Sequence, residues 1–307
     1  MVDILLAAYN SEKYLSEQID SILAQNFQDW RLIIRDANSQ DSTRQIIGKY
    51  SSMYPEKIVF SGSAPASALE NFSALLADSD AEYTMFCDHD DFWFPHKIQR
   101  TIETVHKMET LYGKDVPLCV FTDALVTDEK LHTVCNSNLR NQNLDPVKGI
   151  TPARLMVQNV PSGNTMLFNA ALRKIIYPIP AEAVVHDHYT ALAAACTGHI
   201  GCLNEPTLFY RQHSENLLGS SSYSLFSMIK KSFAGRKVLR DRFFANCRQA
   251  QALLEQHRQI LTPEMQKLLD DFSQMEKLNW LRRKKLFIRN GYWKTGFLRN
   301  LGMLILI

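Results

Sequence analysis

Residues 83–91 read Tyr83-Thr84-Met85-Phe86-Cys87-Asp88-His89-Asp90-Asp91. The first five fit a short buried strand, and three carboxylates follow at its end. A run of acids alone is most often a solvated turn, so its meaning depends on the chain in front of it. Ile4 to Ala8 reads as a buried strand, and Ser11 is placed to cap a helix whose apolar positions Tyr14, Leu15, Ile19, Ile22 and Leu23 recur at helical spacing. Trp30 to Arg35 is a second strand, and Asp41-Ser42-Thr43 opens a helix through Tyr50, with Asp41 as its N-cap. Ile58 to Phe60 is a third strand and Ala68 to Leu76 a third helix, which makes Tyr83 to Cys87 the fourth strand. Strict alternation of this kind predicts right-handed βαβ units, and hence an α/β fold: a Rossmann-like, mostly parallel sheet flanked by helices. Such sheets bind ligands outside the carboxyl ends of their strands. Here those ends carry Tyr9-Asn10, Asp36, Ser61-Gly62 and Asp88 to Asp91.

Further along, Pro95 to Lys107 reads as a helix with proline near its first turn, and Leu118 to Val126 as a strand. Residues 136–163 are polar and loop-rich, suited to folding over a substrate. Thr165 to Phe168 and Thr207 to Tyr210 fit strands, and Tyr189 to Cys196 fits a helix. From Leu225 the pattern is helical and basic, which divides the chain into a catalytic domain, 1–220, and a C-terminal helical extension, 221–307. Charge follows the same division. Residues 1–228 hold 17 Lys and Arg against 26 Asp and Glu, and residues 229–307 hold 17 against 6. An acidic body with a basic tail suggests a catalytic unit tethered to something anionic.

The six cysteines show no CxxC pair and no regular spacing, so free thiols in a reducing compartment are expected. The apolar start, Val2 to Ala8, lacks a basic leader and is broken by Asn10-Ser11-Glu12, and no run reaches the roughly 20 apolar residues that span a bilayer. A cytoplasmic protein with at most peripheral contact to the inner face of the membrane is expected.

Two carboxylates at i and i+2 after a strand, Asp88 and Asp90, can reach one hard cation, and Mg²⁺ or Mn²⁺ held there can bridge a diphosphate. Asp36, ending the second strand, can accept a hydrogen bond from a pyrimidine ring N–H; a plain turn residue is the alternative. In order, the segments Leu5-Leu6-Ala7-Ala8-Tyr9-Asn10, Asp36 with Ser39 and Asp41-Ser42-Thr43, Glu70-Asn71-Phe72, Asp88 through Ile98, and Tyr210-Arg211-Gln212-His213 resemble family 2 glycosyltransferases of the GT-A fold, bacterial rhamnosyltransferases in particular. The resemblance covers roughly residues 2–215.

The resemblance implies a donor pocket of Ala8, Tyr9, Asp36, Asn71, Asp88 and Arg211, filled by a dTDP- or UDP-sugar. It implies a metal held by Asp90, Asp88 and His213, with Arg211 offsetting phosphate charge. His186-Asp187-His188 matches the place of the family's base, with Asp187 the candidate and His186 where relatives carry Glu. Ala37 stands where many relatives carry a second Asp. Trp93 is placed to stack on an acceptor sugar, although a large aromatic there is as often core, and Asn164 within Pro161-Ser162-Gly163-Asn164-Thr165 is placed to reach a sugar hydroxyl. One base and one metal imply single displacement with inversion, rhamnose from dTDP-rhamnose being the favoured transfer, onto a cell-surface polysaccharide or lipid-linked acceptor.

The tail cations Lys230-Lys231, Arg236-Lys237, Arg240, Arg242 and Arg282 to Lys285 alternate with apolar residues up to the tip Leu301 to Ile307. They suit an anionic leaflet; packing against the body or a second subunit of a homo-oligomer is the alternative, and nucleic acid is not an expected partner. A nucleotidyltransferase would need a glycine-rich loop after the first strand, where Ala7-Ala8-Tyr9-Asn10 stands. A non-enzymatic rival, a membrane-recruited glycan-binding module with an inactive site, predicts donor binding without turnover.

Overall fold

The computed structural model describes residues 1–213 and 235–307. Among the described residues nine strands form one sheet: β1 (Val2–Ala8), β2 (Trp30–Asp36), β3 (Ile58–Ser63), β4 (Tyr83–Cys87), β5 (Phe92–Trp93), β6 (Leu118–Thr127), β7 (Thr133–Cys135), β8 (Met166–Asn169) and β9 (His199–Arg211). Their order is β3-β2-β1-β4-β8-β6-β9-β5, with β7 beside β6. The β3-β2-β1-β4 half is parallel, as the alternation predicts. The other half is mixed: β8 runs antiparallel to both β4 and β6, β9 parallel to β6, and β5 antiparallel to β9.

Alternation along the strands builds two cores, one on each face. Ile4, Leu6, Leu32, Ile34, Met85 and Cys87 point to one, where α1 (Leu15–Leu23), α2 (Thr43–Met53) and α4 (Lys97–Tyr112) cover the sheet. Leu5, Ile33 and Phe86 point to the other, under α3 (Ala68–Ala77), α7 (Ala170–Ile176) and α8 (His186–Thr197). Two single turns, α5 (Asn138–Asn141) and α6 (Pro152–Leu155), lie in the loop-rich segment. The C-terminal helices α9 (Arg236–His257), α10 (Pro263–Ser273), α11 (Trp280–Arg289) and α12 (Phe297–Leu306) place Phe243, Leu253, Phe272, Phe287 and Met303 in that second core. No helix among the described residues is long and apolar enough to cross a membrane. The boundary expected at 220/221, the helical start at Leu225 and Lys230-Lys231 lie outside the described residues.

Local departures from the sequence reading have local causes. Ser11 does not cap α1: its hydroxyl accepts the Tyr9 amide at 3.0 Å, and the helix starts four residues later. Asp41 precedes the actual N-cap of α2, Ser42, yet its carboxylate still accepts the Thr43 amide at 3.0 Å. Pro95 stays outside α4, which begins at Lys97. Strand β9 is 13 residues long, because pairing with β6 extends it well before the apolar stretch that signals it.

Candidate active site

The site forms where the parallel strands end, and glycine-like backbone turns stitch those ends together. Asn10 and Asn38 both adopt positive φ, 46° and 63°. Their turns interlock: the Asn10 amide donates to Ser39 Oγ at 2.9 Å and the Gln40 amide to Asn10 Oδ1 at 2.9 Å. Ala8 is buried, and its carbonyl accepts the Ala37 amide at 2.8 Å, whereas Tyr9 just beyond is 56% exposed. Asp36 is fully buried, accepting from the Ser39 amide at 3.1 Å and from Ser63 Oγ at 2.8 Å. It thus ties β2 to β3, with its oxygens taken up by Ser39 and Ser63.

The acidic run leaves β4 and is drawn at once into β5. Because β5 pairs antiparallel with Leu208 and Phe209, Asp90 and Asp91 lie level with the end of β9. Tyr210, Arg211 and His213 therefore face them. His213 Nε2 sits 2.8 Å from Asp90 Oδ2, and its ring rests on Tyr14 with centroids 4.9 Å apart. Arg211 Nε donates to the Asp90 carbonyl at 2.8 Å and Nη1 to the Glu129 carbonyl at 2.6 Å, while Nη2 is paired with Glu17. The guanidinium also lies 4.6 Å over the Tyr14 ring. Arg211 is buried and engaged with protein groups, so its observed work is to hold the acidic loop and β9 together, rather than to present an open cation to phosphate as expected.

Across the cleft, the turn Gly163–Thr165 joins the acidic run to α8. The Gly163 amide donates to Asp187 Oδ2 at 3.1 Å, and Asn164 donates its side-chain N–H to Asp91. A Cβ on Gly163 would meet His186 Nε2 at 2.8 Å, so only glycine lets the turn approach this closely. Asp187 lies in the first turn of α8, where Val185 is the N-cap, and its other oxygen accepts the His188 amide at 2.6 Å. His186 stacks on Phe72 at 3.8 Å and meets Phe86 edge-on at 4.7 Å.

Three expected contacts are corrected by burial. Trp93 is fully buried, because strand alternation in β5 turns it into the core, where Lys97 Nζ lies 4.8 Å over its ring; it offers no face to a sugar. Asn164 is buried, and the Asp91 bond takes up its amide, so it positions the acidic run rather than reaching an acceptor. Asn71 is buried within α3, only 2% exposed, so it offers no accessible amide to a donor.

Charge in this cleft is unbalanced. Burial, and then the negative charges of Asp90 and Asp187, push the Asp88 carboxyl up to about 8. Burial with Asp90 and Asp88 drives Asp91 well above the carboxylate range. Burial opposes ionisation of Asp90 too, but the His213 bond and the neighbouring His89 and His213 outweigh it and hold its pKa below the usual value. Asp187 is raised to about 6 by burial, against the stabilising amides of Gly163 and His188. His186 is lowered to about 3 by burial, so it is neutral and brings no positive charge to its neighbour. The phenol of Tyr210 is raised by burial and then by the negative charges of Asp91, Asp88, Asp90 and Asp187. Asp90 and His213 are brought into contact, but among the described residues no group of three His, Cys, Asp or Glu converges as a ready metal cage.

Asp91, Gly163 and Tyr210 act here without having been assigned roles from sequence. Asp91 carried a signal as the third acid of its run, whereas Gly163 and Tyr210 gave none beyond membership of their segments.

Residues 3–118 match the family described as Glycosyl transferase family 2. An uncharacterized glycosyltransferase of Nostoc sp. is 26% identical over 246 residues, 76% of this chain and 71% of that protein. An uncharacterized Mycobacterium tuberculosis protein is 24% identical over 229 residues, and the chain spans only 61% of its length. The dTDP-rhamnosyl transferase RfbG of Shigella flexneri is 24% identical over 251 residues, 76% of this chain and 82% of that one. Among solved structures, S. aureus TarS 1-349 in complex with UDP-GlcNAc superposes with a TM-score of 0.56 at 16% identity, covering 95% of this chain and 89% of that one. The mannosyltransferase PcManGT of Pyrobaculum calidifontis, in complex with GDP-Man and Mn²⁺, gives 0.53 at 13% identity, covering 99% and 78%. Residues 3–118 thus resemble a family 2 glycosyltransferase domain, and the chain as a whole shares the fold of the GT-A glycosyltransferases it superposes on.

Proposed function

We propose that the protein transfers a sugar, with inversion, from a nucleoside diphosphate donor to a hydroxyl of a cell-surface polysaccharide or lipid-linked glycan. The observation that carries this reading is the acidic run Asp88, Asp90 and Asp91, linked through Asn164 and Gly163 to Asp187, with His213 bonded to Asp90. Donor-bound neighbours, TarS with UDP-GlcNAc and PcManGT with GDP-Man and Mn²⁺, support the class of ligand. The rhamnosyl transferase relative favours dTDP-rhamnose.

A divalent ion fits by chemistry: an excess of carboxylates whose proton affinities are raised by burial and then by one another is a site short of positive charge. Asp90 and His213, with Asp88 beside them, would hold Mg²⁺ or Mn²⁺, which when bound supplies Lewis-acid stabilisation of the departing diphosphate. Ala8 and Tyr9, with the interlocked turns at Asn10 and Asn38, form the donor end of the cleft. Asp36 supports that end from within, through Ser39 and Ser63. Asp187 takes the proton from the acceptor hydroxyl as its oxygen forms the new bond to the anomeric carbon and the donor's C–O bond breaks. Its raised pKa, about 6, makes it a better proton acceptor than an ordinary carboxylate while leaving it ionised at neutral pH.

Incubating the protein with dTDP-rhamnose or UDP-sugars, with and without Mn²⁺, and measuring released nucleoside diphosphate tests the reading. Metal-dependent release from one donor class is expected. Tight donor binding without any release, across donors and acceptors, would favour the inactive binding module instead.

A further inference from the structure

Helix α12 is seated on the body by Met303, Leu304 and Leu306 together with Arg299, and turns a second set of apolar residues outward. Inward, Met303 is buried, and Arg299 donates to the carbonyls of Asn143 at 3.0 Å and Gln142 at 2.7 Å. Outward are Phe297, 79% exposed, Leu298, Leu301, Gly302 and Ile305, 63% exposed. At 3.6 residues per turn these five occupy a single arc of roughly 140°. No polar side chain interrupts it. The outward arc of a helix on a water-soluble surface ordinarily carries charge, so a continuous apolar one marks an interaction face.

Helix α11 exposes a second apolar group, Trp280 (58%), Leu281 and Ile288, but here cations accompany it. Lys284 Nζ lies 4.6 Å over the Trp280 ring, and Lys285 and Arg282 stand on the same exposed side. The opening turns of α9, Arg236-Lys237-Val238-Leu239-Arg240, are exposed all round. Residues 235–307 hold 15 Lys and Arg against 6 Asp and Glu.

We propose that the outward faces of α11 and α12 dock on an anionic lipid bilayer, α12 entering the acyl boundary and the α11 cations meeting headgroup phosphates. Charge complementarity selects this occupant. A second copy of the chain meeting this surface face to face would set Lys284 and Lys285 against their own counterparts, whereas anionic headgroups satisfy them and hydrocarbon satisfies the α12 arc. The binding goes beyond glycosyl transfer and needs neither donor nor acceptor. It assigns a surface to the peripheral, inner-face location expected from the sequence.

Co-sedimentation of the full chain tests it, using vesicles of phosphatidylcholine alone and of equal parts phosphatidylcholine and phosphatidylglycerol. Wild type should pellet with the anionic vesicles and largely escape the neutral ones, and raised salt should weaken the binding. Leu301→Glu with Ile305→Glu, both solvent-facing, should reduce partitioning about tenfold or more. Lys284→Gln with Lys285→Gln should reduce it by about the same factor and flatten its salt dependence. Unchanged thermal unfolding of the two variants separates these effects from misfolding, and the lysine pair stands alone should the glutamate pair fail to fold. Wild type that stays in the supernatant, binding indifferent to lipid charge, or variants that pellet like wild type would overturn the proposal. So would a dimer in light scattering that Leu301→Glu dissociates without touching vesicle binding. Because no sugar donor is present, none of these outcomes depends on whether the enzyme reading holds.

Discussion

His213 Nε2 and Asp90 Oδ2 lie 2.8 Å apart although 123 positions separate them in the chain. The short antiparallel ladder between β5 and β9 creates the contact, by setting the residues just before Phe92 beside those just after Phe209. The imidazole therefore belongs to the acidic cleft and keeps one carboxylate ionised where its neighbours are pushed towards protonation.

If this pair holds the catalytic cation, Asp90→Asn should remove turnover, and His213→Ala should lower it by about 100-fold with a rise in the Mn²⁺ concentration needed for half-maximal rate. Initial rates over a Mn²⁺ titration check both. A His213→Ala enzyme with the wild-type metal dependence would rule the imidazole out of the metal site.

Asp187 makes a pH prediction. A base must be ionised to act, and burial places this carboxyl at about 6, so the rate should fall about tenfold per unit as pH drops below about 6. Asp187→Asn should lose about 10² to 10⁴ of the rate while donor affinity, read by calorimetry, is kept. A pH profile flat to pH 5 would contradict the assignment.

The same shift bears on stability, with the opposite sense. A folded-state pKa near 6, above the ordinary 3.8, means that between these values the folded protein binds more protons than the unfolded chain. Asp187 thus costs stability as pH rises through that window, and the cost is complete above about 6. Asp187→Asn should be at least as stable as wild type at pH 7.5 in denaturant unfolding, although inactive. Marked destabilisation would mean that the carboxylate is chiefly structural.

The Gly163-Asn164 turn should behave as a positioning element. Asn164→Ala leaves buried Asp91 without its side-chain donor, at a cost of about 1–3 kcal/mol, and Gly163→Ala forces a Cβ to within 2.8 Å of His186 Nε2. Both should depress kcat by about tenfold or more, with smaller effects on the apparent donor KM. A change confined to KM would place the turn in donor binding instead.

Trp93 separates core from contact. Trp93→Ala should cost about 3–5 kcal/mol of stability. Trp93→Phe, which keeps most of the packing, should leave acceptor KM within twofold, since the ring has no exposed face. A large rise in acceptor KM in a stable Trp93→Phe protein would restore the stacking role.

How much of this was legible depended on the range of the interaction. The β1 to β4 alternation was readable because each strand and helix announces itself by its own period, and Asp36, Asp88 and Asp90 stood out because strand ends in such sheets are known in advance. β5 was invisible: two residues, Phe92 and Trp93, have no period to read, and only their partners on β9 make them a strand. That is also why Trp93 was misplaced. An aromatic beside an acidic motif looks like a sugar platform until the alternation of β5 is known. Asn164 was misplaced for a related reason, since a polar residue in a flexible-looking segment gives no sign that a buried carboxylate waits for it.

The amino-acid sequence by itself determined the parallel half of the sheet, the acidic strand end and the basic, apolar character of the C-terminal residues, because these follow from local periodicity and composition. Only the tertiary structure decided that Arg211 is spent on Glu17 and the acidic loop, that His186 is neutral against Phe72, and that α12 turns its apolar arc to the outside. Charge state, pairing and exposure depend on what each residue finds across the fold, and neighbours distant in sequence set all three.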